Sequence, residues 1–158
     1  MWVGHSCPTL LQLFLSLNSI CFKYSIDRIF LSWNTISLTW EVEYTAEFAR
    51  WWNSLNEAEQ EDIEASVMLL RTLGPTLGRP HADLVTTSAY PNMKELRTQH
   101  DGKPYRTLFA FDPRRVAILL IGGDKTGNDR WYTEFVPRAD KIYAEHLRQL
   151  EKEDREKR

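Results

Sequence analysis

Beyond Cys21 the chain has no cysteine, and its only two, Cys7 and Cys21, precede everything else of interest. The remainder therefore holds no thiolate nucleophile, no disulfide framework and no cysteine-based metal site, a usage that fits a reducing cytosol. Histidine is also scarce. His5, His81, His100 and His146 show neither HExxH nor any other ligand spacing, so no metal and no cofactor is expected. No apolar run reaches the roughly 20 residues needed to span a bilayer, and nothing repeats at a solenoid period. The segment Gly122-Gly123-Asp124-Lys125-Thr126-Gly127 lacks the spacer and terminal Gly-Lys-Ser/Thr of a phosphate-cradling loop. Positive charge is not in excess either: the net charge of −2 argues against a uniformly basic nucleic-acid binder.

What is present suits one globular core in 158 residues, with a high aromatic share of 12%. Charge is divided along the chain. Trp40 to Met93 carries three Lys/Arg against nine Asp/Glu, whereas Lys94 to Lys141 carries ten against seven, so the second half can offer a basic face to phosphate while the first is acidic. Residues 1–37 stand apart: rich in Leu, Ser, Ile and Phe, they hold only Lys23, Arg28 and Asp27 as charges. The run Leu10–Leu17 is not preceded by Lys or Arg and not followed by an A-x-A site, which argues against a signal peptide. The expectation is a poorly structured extension over 1–37 arising from a start codon assigned too far upstream, with Leu38 as the initiator and a single domain over 38–158.

From Trp40 the local signals become regular. Trp40-Glu41-Val42-Glu43-Tyr44 alternates as a half-buried strand does. Thr45 then caps a helix whose Phe48, Trp51, Trp52 and Leu55 form one apolar stripe. Asn56 and Glu59 have capping-box spacing for a second helix with Ile63, Val67 and Leu70 inward and Gly74-Pro75 as its stop. A proline-punctuated connection over 75–91 leads to three strands, Asn92–Thr98, Pro104–Phe111 and Arg115–Ile121, with turns at Asp101-Gly102 and Asp112-Pro113. The continuously apolar third strand predicts burial on both faces. Pro137 suits the first turn of a last helix carrying Ile142, Tyr143, His146, Leu147 and Leu150. The fold class is thus α+β in the order β-α-α-β-β-β-α, a small antiparallel-rich sheet packed on a helical hairpin.

This order, with Lys94-Glu95-Leu96-Arg97 on the first meander strand, Tyr105-Arg106 on the second, Gly122-Gly123-Asp124-Lys125-Thr126 after the third, and Trp131-Tyr132 and Ala139-Asp140-x-x-Tyr143 beyond, resembles the RelE/HigB toxin superfamily, in particular its phage-derived Gp49-like group. The resemblance runs from Trp40 to about Leu150. It implies a RelE-like fold and a cytoplasmic, metal-independent endoribonuclease that cuts mRNA on the ribosome. It also implies a cognate helix-turn-helix antitoxin as partner in a hetero-oligomer, with no membrane.

Metal-free RNA cleavage needs the 2′-hydroxyl deprotonated, the phosphorane charge stabilised and the leaving oxygen protonated. Arg97 and Arg106, on adjacent strands, can clamp one phosphate if both point to the solvent face. Glu95 shares that face; it orients a guanidinium, acts as the base, or simply forms a cross-strand ion pair. Lys125 and Tyr132 complete the catalytic candidates as charge stabiliser and proton donor. Lys94, Lys103, Arg114, Arg115 and Arg130 are the candidate RNA contacts, although a regular strand turns Lys94 to the opposite face. His146 lies in the apolar register of the last helix and reads as structural; His81 and His100 are loop residues ranked behind the arginines. A rival from another class is the same fold without nuclease activity: a ParE-like binder of DNA gyrase, or a phage remnant that only holds its antitoxin. In its favour, the domain from Trp40 carries 18 Lys/Arg against 21 Asp/Glu, whereas ribosome-acting members of the superfamily are clearly basic.

Overall fold

The computed structural model describes residues 39–157; the extension expected over 1–37, with His5 and both cysteines, lies outside the described residues. Strand β1 (Val42–Tyr44) leads into helix α1 (Ala46–Trp52) and then α2 (Glu57–Leu73), which closes in a 3-10 turn over Gly74–Thr76. Strands β2 (Ala82–Leu84), β3 (Met93–His100), β4 (Lys103–Phe111) and β5 (Ala117–Asp124) follow, and helix α3 (Trp131–Glu156) ends the chain. The sheet order is β1-β5-β4-β3-β2. All pairings are antiparallel except β1 with β5, which run parallel.

The expected helix caps form. Thr45 Oγ1 accepts from the Phe48 N–H at 3.3 Å and donates to the carbonyl of Leu120 at 2.6 Å, so one hydroxyl both starts α1 and ties it to β5. Asn56 and Glu59 exchange bonds of 2.9 and 3.0 Å in a reciprocal capping box. Phe48, Trp52, Ile63 and Leu70 are buried beneath the resulting hairpin. On the opposite face of the sheet Met93, Leu108, Ala110, Ile118, Leu120 and Ile121 pack with Trp131, Val136, Ala139 and Tyr143 of α3. Strand β5 is thus covered on both sides, and this is why Ala117–Ile121 is apolar at every position.

Three details depart from the sequence reading. The 75–91 connection contains the short strand β2, paired with Leu96, Glu95 and Lys94 of β3. Helix α3 begins at Trp131, so Pro137 sits inside it rather than in its first turn; burial of Trp131 and Val136 before it and of Ala139 and Tyr143 after it outweighs the hydrogen bond a proline forfeits. Gly122 and Gly123 belong to β5, not to a Gly-rich turn. A Cβ on Gly122 would collide with the Trp51 ring on one face, and a Cβ on Gly123 would lie 2.8 Å from Phe135 and 3.0 Å from the Trp131 indole nitrogen on the other. The paired glycines are seats for aromatic side chains.

Candidate functional site

Register fixes the centre of the site. Arg97 of β3 is directly opposite Arg106 of β4, and Arg106 is opposite Gly123 of β5. Since side chains alternate along a strand, Glu95, Arg97 and Arg106 share the face on which α3 lies. Trp131 seats on Gly123, stacks on Phe135 with ring centroids 4.4 Å apart, and so delivers the neighbouring Tyr132 above β3 and β4. The Tyr132 hydroxyl donates to Glu95 Oε2 at 2.7 Å. Arg97 Nε approaches Glu95 Oε1 at 3.2 Å, and Arg106 Nε stands 3.8 Å from Oε2. Lys125 Nζ lies 4.8 Å over the Tyr132 ring. Three of the five candidate catalytic residues, Arg97, Arg106 and Tyr132, are therefore gathered around the carboxylate of a fourth, Glu95, and Lys125 adjoins them over the Tyr132 ring.

Their exposure differs from expectation. Arg97 keeps a third of its side chain in solvent, but Arg106 is only 6% exposed and Glu95 3%. Arg106 was expected on an open face; the first turn of α3 covers it instead. Its Nη1 donates to the carbonyl of Tyr105 at 2.8 Å, while its Nε, like that of Arg97, is buried with no aligned acceptor. Two guanidiniums placed as cross-strand neighbours repel each other, and the single carboxylate between them is the compensating charge. Burial raises the Tyr132 phenol above its ordinary pKa and Glu95 raises it further, with Arg106 opposing. The phenol is consequently a proton donor at neutral pH. The cluster can hold a tetrahedral anion on its guanidiniums and offer that anion a proton.

The five candidate RNA contacts do not form one path. Lys94 is on the hairpin face, where its ammonium donates to the carbonyls of Pro75 at 3.0 Å and Leu77 at 2.9 Å and burial lowers its pKa; it is a structural tie. Lys103, at the β3–β4 turn, pairs with Glu59 at 3.3 Å. Arg114 and Arg115 lie at the other end of the sheet, the first bound to Glu43 and Asp112, the second 5.0 Å over the Trp40 ring. Arg130 is exposed at the N-cap of α3, next in the chain to Trp131, with Glu134 4.0 Å away. His100 bonds Asp62 at 2.7 Å on the hairpin face, and exposed His81 contributes only its carbonyl, which accepts from the Arg97 N–H at 2.7 Å.

A second polar centre was not foreseen. Asp112, read only as a turn residue, has a fully buried carboxylate that accepts from the Arg114 and Val116 backbones, from the Arg114 guanidinium and from His146 at 3.1 Å. Burial would raise its pKa, but those donors prevail and hold it below the usual carboxylate range. The bond from the Arg114 N–H to the Asp112 side chain is an Asx turn, the one local signal that the Asp112-Pro113 sequence offered. Among the described residues no group of His, Cys, Asp or Glu is arranged to hold a metal ion.

The family model for phage-derived Gp49-like proteins (DUF891) matches residues 50–144, from within α1 to about the middle of α3, and so includes every member of the Glu95 cluster. Two Mycobacterium tuberculosis proteins are similar: the toxin named HigB3, 51% identical over 58% of this chain and 79% of its own, and the toxin named HigB2, 42% identical over 80% of this chain. The chain spans 62% of the length of HigB2. Among solved structures, the Escherichia coli RelBE toxin–antitoxin complex has TM-score 0.41 at 10% identity, covering 54% of this chain and 95% of that one. The archaeal RelE–RelB complex of Pyrococcus horikoshii has TM-score 0.42 at 16% identity, covering 56% and 98%. With more than half its length matched by the family model, the chain belongs to the phage-derived Gp49-like family.

Proposed function

We propose that the domain is the toxin of a type II toxin–antitoxin module and acts as a metal-independent endoribonuclease on ribosome-bound mRNA. One observation carries the reading: Arg97 and Arg106 face each other across β3 and β4 with the protonated Tyr132 phenol above them. Arg97 and Arg106 hold the scissile phosphate and stabilise its developing charge. Tyr132 protonates the leaving 5′-oxygen, Glu95 takes the 2′-hydroxyl proton once released from the arginines, and Lys125 adds charge at the rim. The relatives named as HigB toxins support the toxin assignment. A helix-turn-helix antitoxin is the proposed partner and the cytoplasm the proposed location; among the described residues no helix is long and apolar enough to cross a membrane.

A second reading has its own observation. Arg106 is covered in the free protein, as suits a domain that binds a partner, DNA gyrase or an antitoxin, without cutting RNA. Inducible expression separates the two. Growth arrest with site-specific mRNA cleavage, relieved by co-expressing the adjacent gene, supports the nuclease; arrest with intact mRNA and inhibited supercoiling supports the binder.

A further inference from the structure

We propose that Arg97 and Arg106 form a binding site for a tetrahedral oxyanion whose resident occupant in the free protein is the Glu95 carboxylate, so that an incoming phosphate displaces Glu95 instead of entering an empty site. The proposal rests on the phosphate-clamp reading above and concerns how that clamp is kept closed. Three observations lead to it. First, the two guanidiniums are cross-strand partners with one carboxylate between them, and with Lys125 beside Tyr132 the cluster keeps a surplus of positive charge. Second, the carboxylate fills the position imperfectly: Arg97 Nε and Arg106 Nε are both buried without an aligned acceptor, although Glu95 oxygens lie 3.2 and 3.8 Å away. A buried guanidinium N–H without a partner is costly. A tetrahedral anion has four oxygens where the carboxylate has two, and so can satisfy both. Third, Glu95 has an alternative anchor, because the Tyr132 hydroxyl already donates to it at 2.7 Å and needs no arginine to do so. Arg97, a third of its side chain exposed, marks the side from which the anion enters.

The test uses sodium sulfate, with an uncleavable 2′-deoxy-substituted oligoribonucleotide as the second probe. Glu95→Gln keeps the shape of the side chain and its bond to Tyr132 but removes the competing charge. Calorimetry is expected to show sulfate binding at least about tenfold tighter in Glu95→Gln than in the wild type, a conservative figure for removing one charge within roughly 4 Å of the anion. Equal or weaker binding in the folded variant overturns the proposal. Should the variant not fold, the Arg97 and Arg106 Nε–H resonances of the wild-type protein decide: both move with one midpoint if sulfate takes the Glu95 position. No movement of either at high sulfate overturns it. Competition between oligonucleotide and sulfate assigns the site to backbone phosphate, and its absence assigns it to a free anion. Displacement of Glu95 by sulfate in a protein that leaves mRNA intact upholds the site and overturns only the nuclease reading.

Discussion

Replacing each clamp arginine by alanine separates their roles, because burial makes them unequal. Arg106 is 6% exposed, and its removal leaves Glu95, itself 3% exposed, with only Arg97 and the Tyr132 hydroxyl. Breaking a buried ion pair by deleting one partner costs about 3–5 kcal/mol. The two remaining donors compensate part of that, so a loss of roughly 2–3 kcal/mol is expected, or about 10 °C in melting temperature for a domain of this size. Arg97, a third of its side chain exposed and 3.2 Å from the same carboxylate, should cost at most about 1 kcal/mol. Catalysis should rank them otherwise: each supplies a charged donor to the transition state, and losing one costs about 2.7–4 kcal/mol, roughly 100- to 1000-fold in rate. Urea denaturation and a cleavage assay on one preparation read both quantities. Equal destabilisation by the two variants would refute the burial argument, and full cleavage by folded Arg97→Ala would refute the clamp.

Four further outcomes are expected. Gly123→Ala places a methyl group 2.8 Å from Phe135 and 3.0 Å from the Trp131 nitrogen; overpacking should cost about 1–3 kcal/mol and shift tryptophan fluorescence as the first turn of α3 lifts. The pKa values of Tyr44, Tyr105, Tyr132 and Tyr143 are all raised, in each case chiefly by burial, so their contribution is complete below about pH 10 and is lost as pH rises through their folded values. Asp112 works in the opposite sense: its folded pKa is depressed, so its contribution is present above about pH 4 and is lost on further acidification, both limbs being readable by urea titration across pH. A chain beginning at Thr39 behind an added Met should fold and bind the antitoxin, since Trp40 against Gly74 and Arg115 is retained; insolubility on truncation would count against it. Antitoxin binding should change hydrogen-exchange protection over α3, where Tyr143, Leu147 and Leu150 anchor the helix, or over the acidic α1–α2 hairpin, and unchanged protection in both would exclude those surfaces.

Local chemistry carried much of this structure into the sequence. The alternation ending at Tyr44, the capping box at Asn56 and Glu59, and the Asp101-Gly102 turn each act over a few residues, and each is where it was expected. Strand alternation alone puts Glu95 and Arg97 on one face, whereas Arg106 joins them through the register that the Asp101-Gly102 turn sets. What covers that face follows from neither. Trp131 starts α3 because its indole seats on Gly123, a tertiary contact, whereas Pro137 is the stronger local signal and pointed six residues too late. The burial of Arg106 follows from that same docking. Strand β2 is only three residues long and exists through pairing with β3, so no periodicity announces it. Asp112 resembled any turn aspartate until His146 arrived from a helix more than 30 positions away.

The parallel pairing of β1 with β5 sets an order of assembly. Asp101 and Gly102 both have positive φ, as a two-residue hairpin turn requires, so β3 and β4 can zip together as soon as they exist. Strand β1 has no such neighbour. Its partner is β5, and the hydroxyl that starts α1 is bonded to a carbonyl 75 positions later. The first part of the domain to be synthesised is thus the last to find its place, a topology that slows folding. Until β5 emerges, Phe48 and Trp52 of α1 lack the strand their helix packs on, whereas α2 can already meet β3. Tyr132 lies later still, so a chain that has emerged only as far as β5 holds the two arginines and the Glu95 carboxylate with no phenol above them, and the cluster is finished only when the first turn of α3 docks on the sheet.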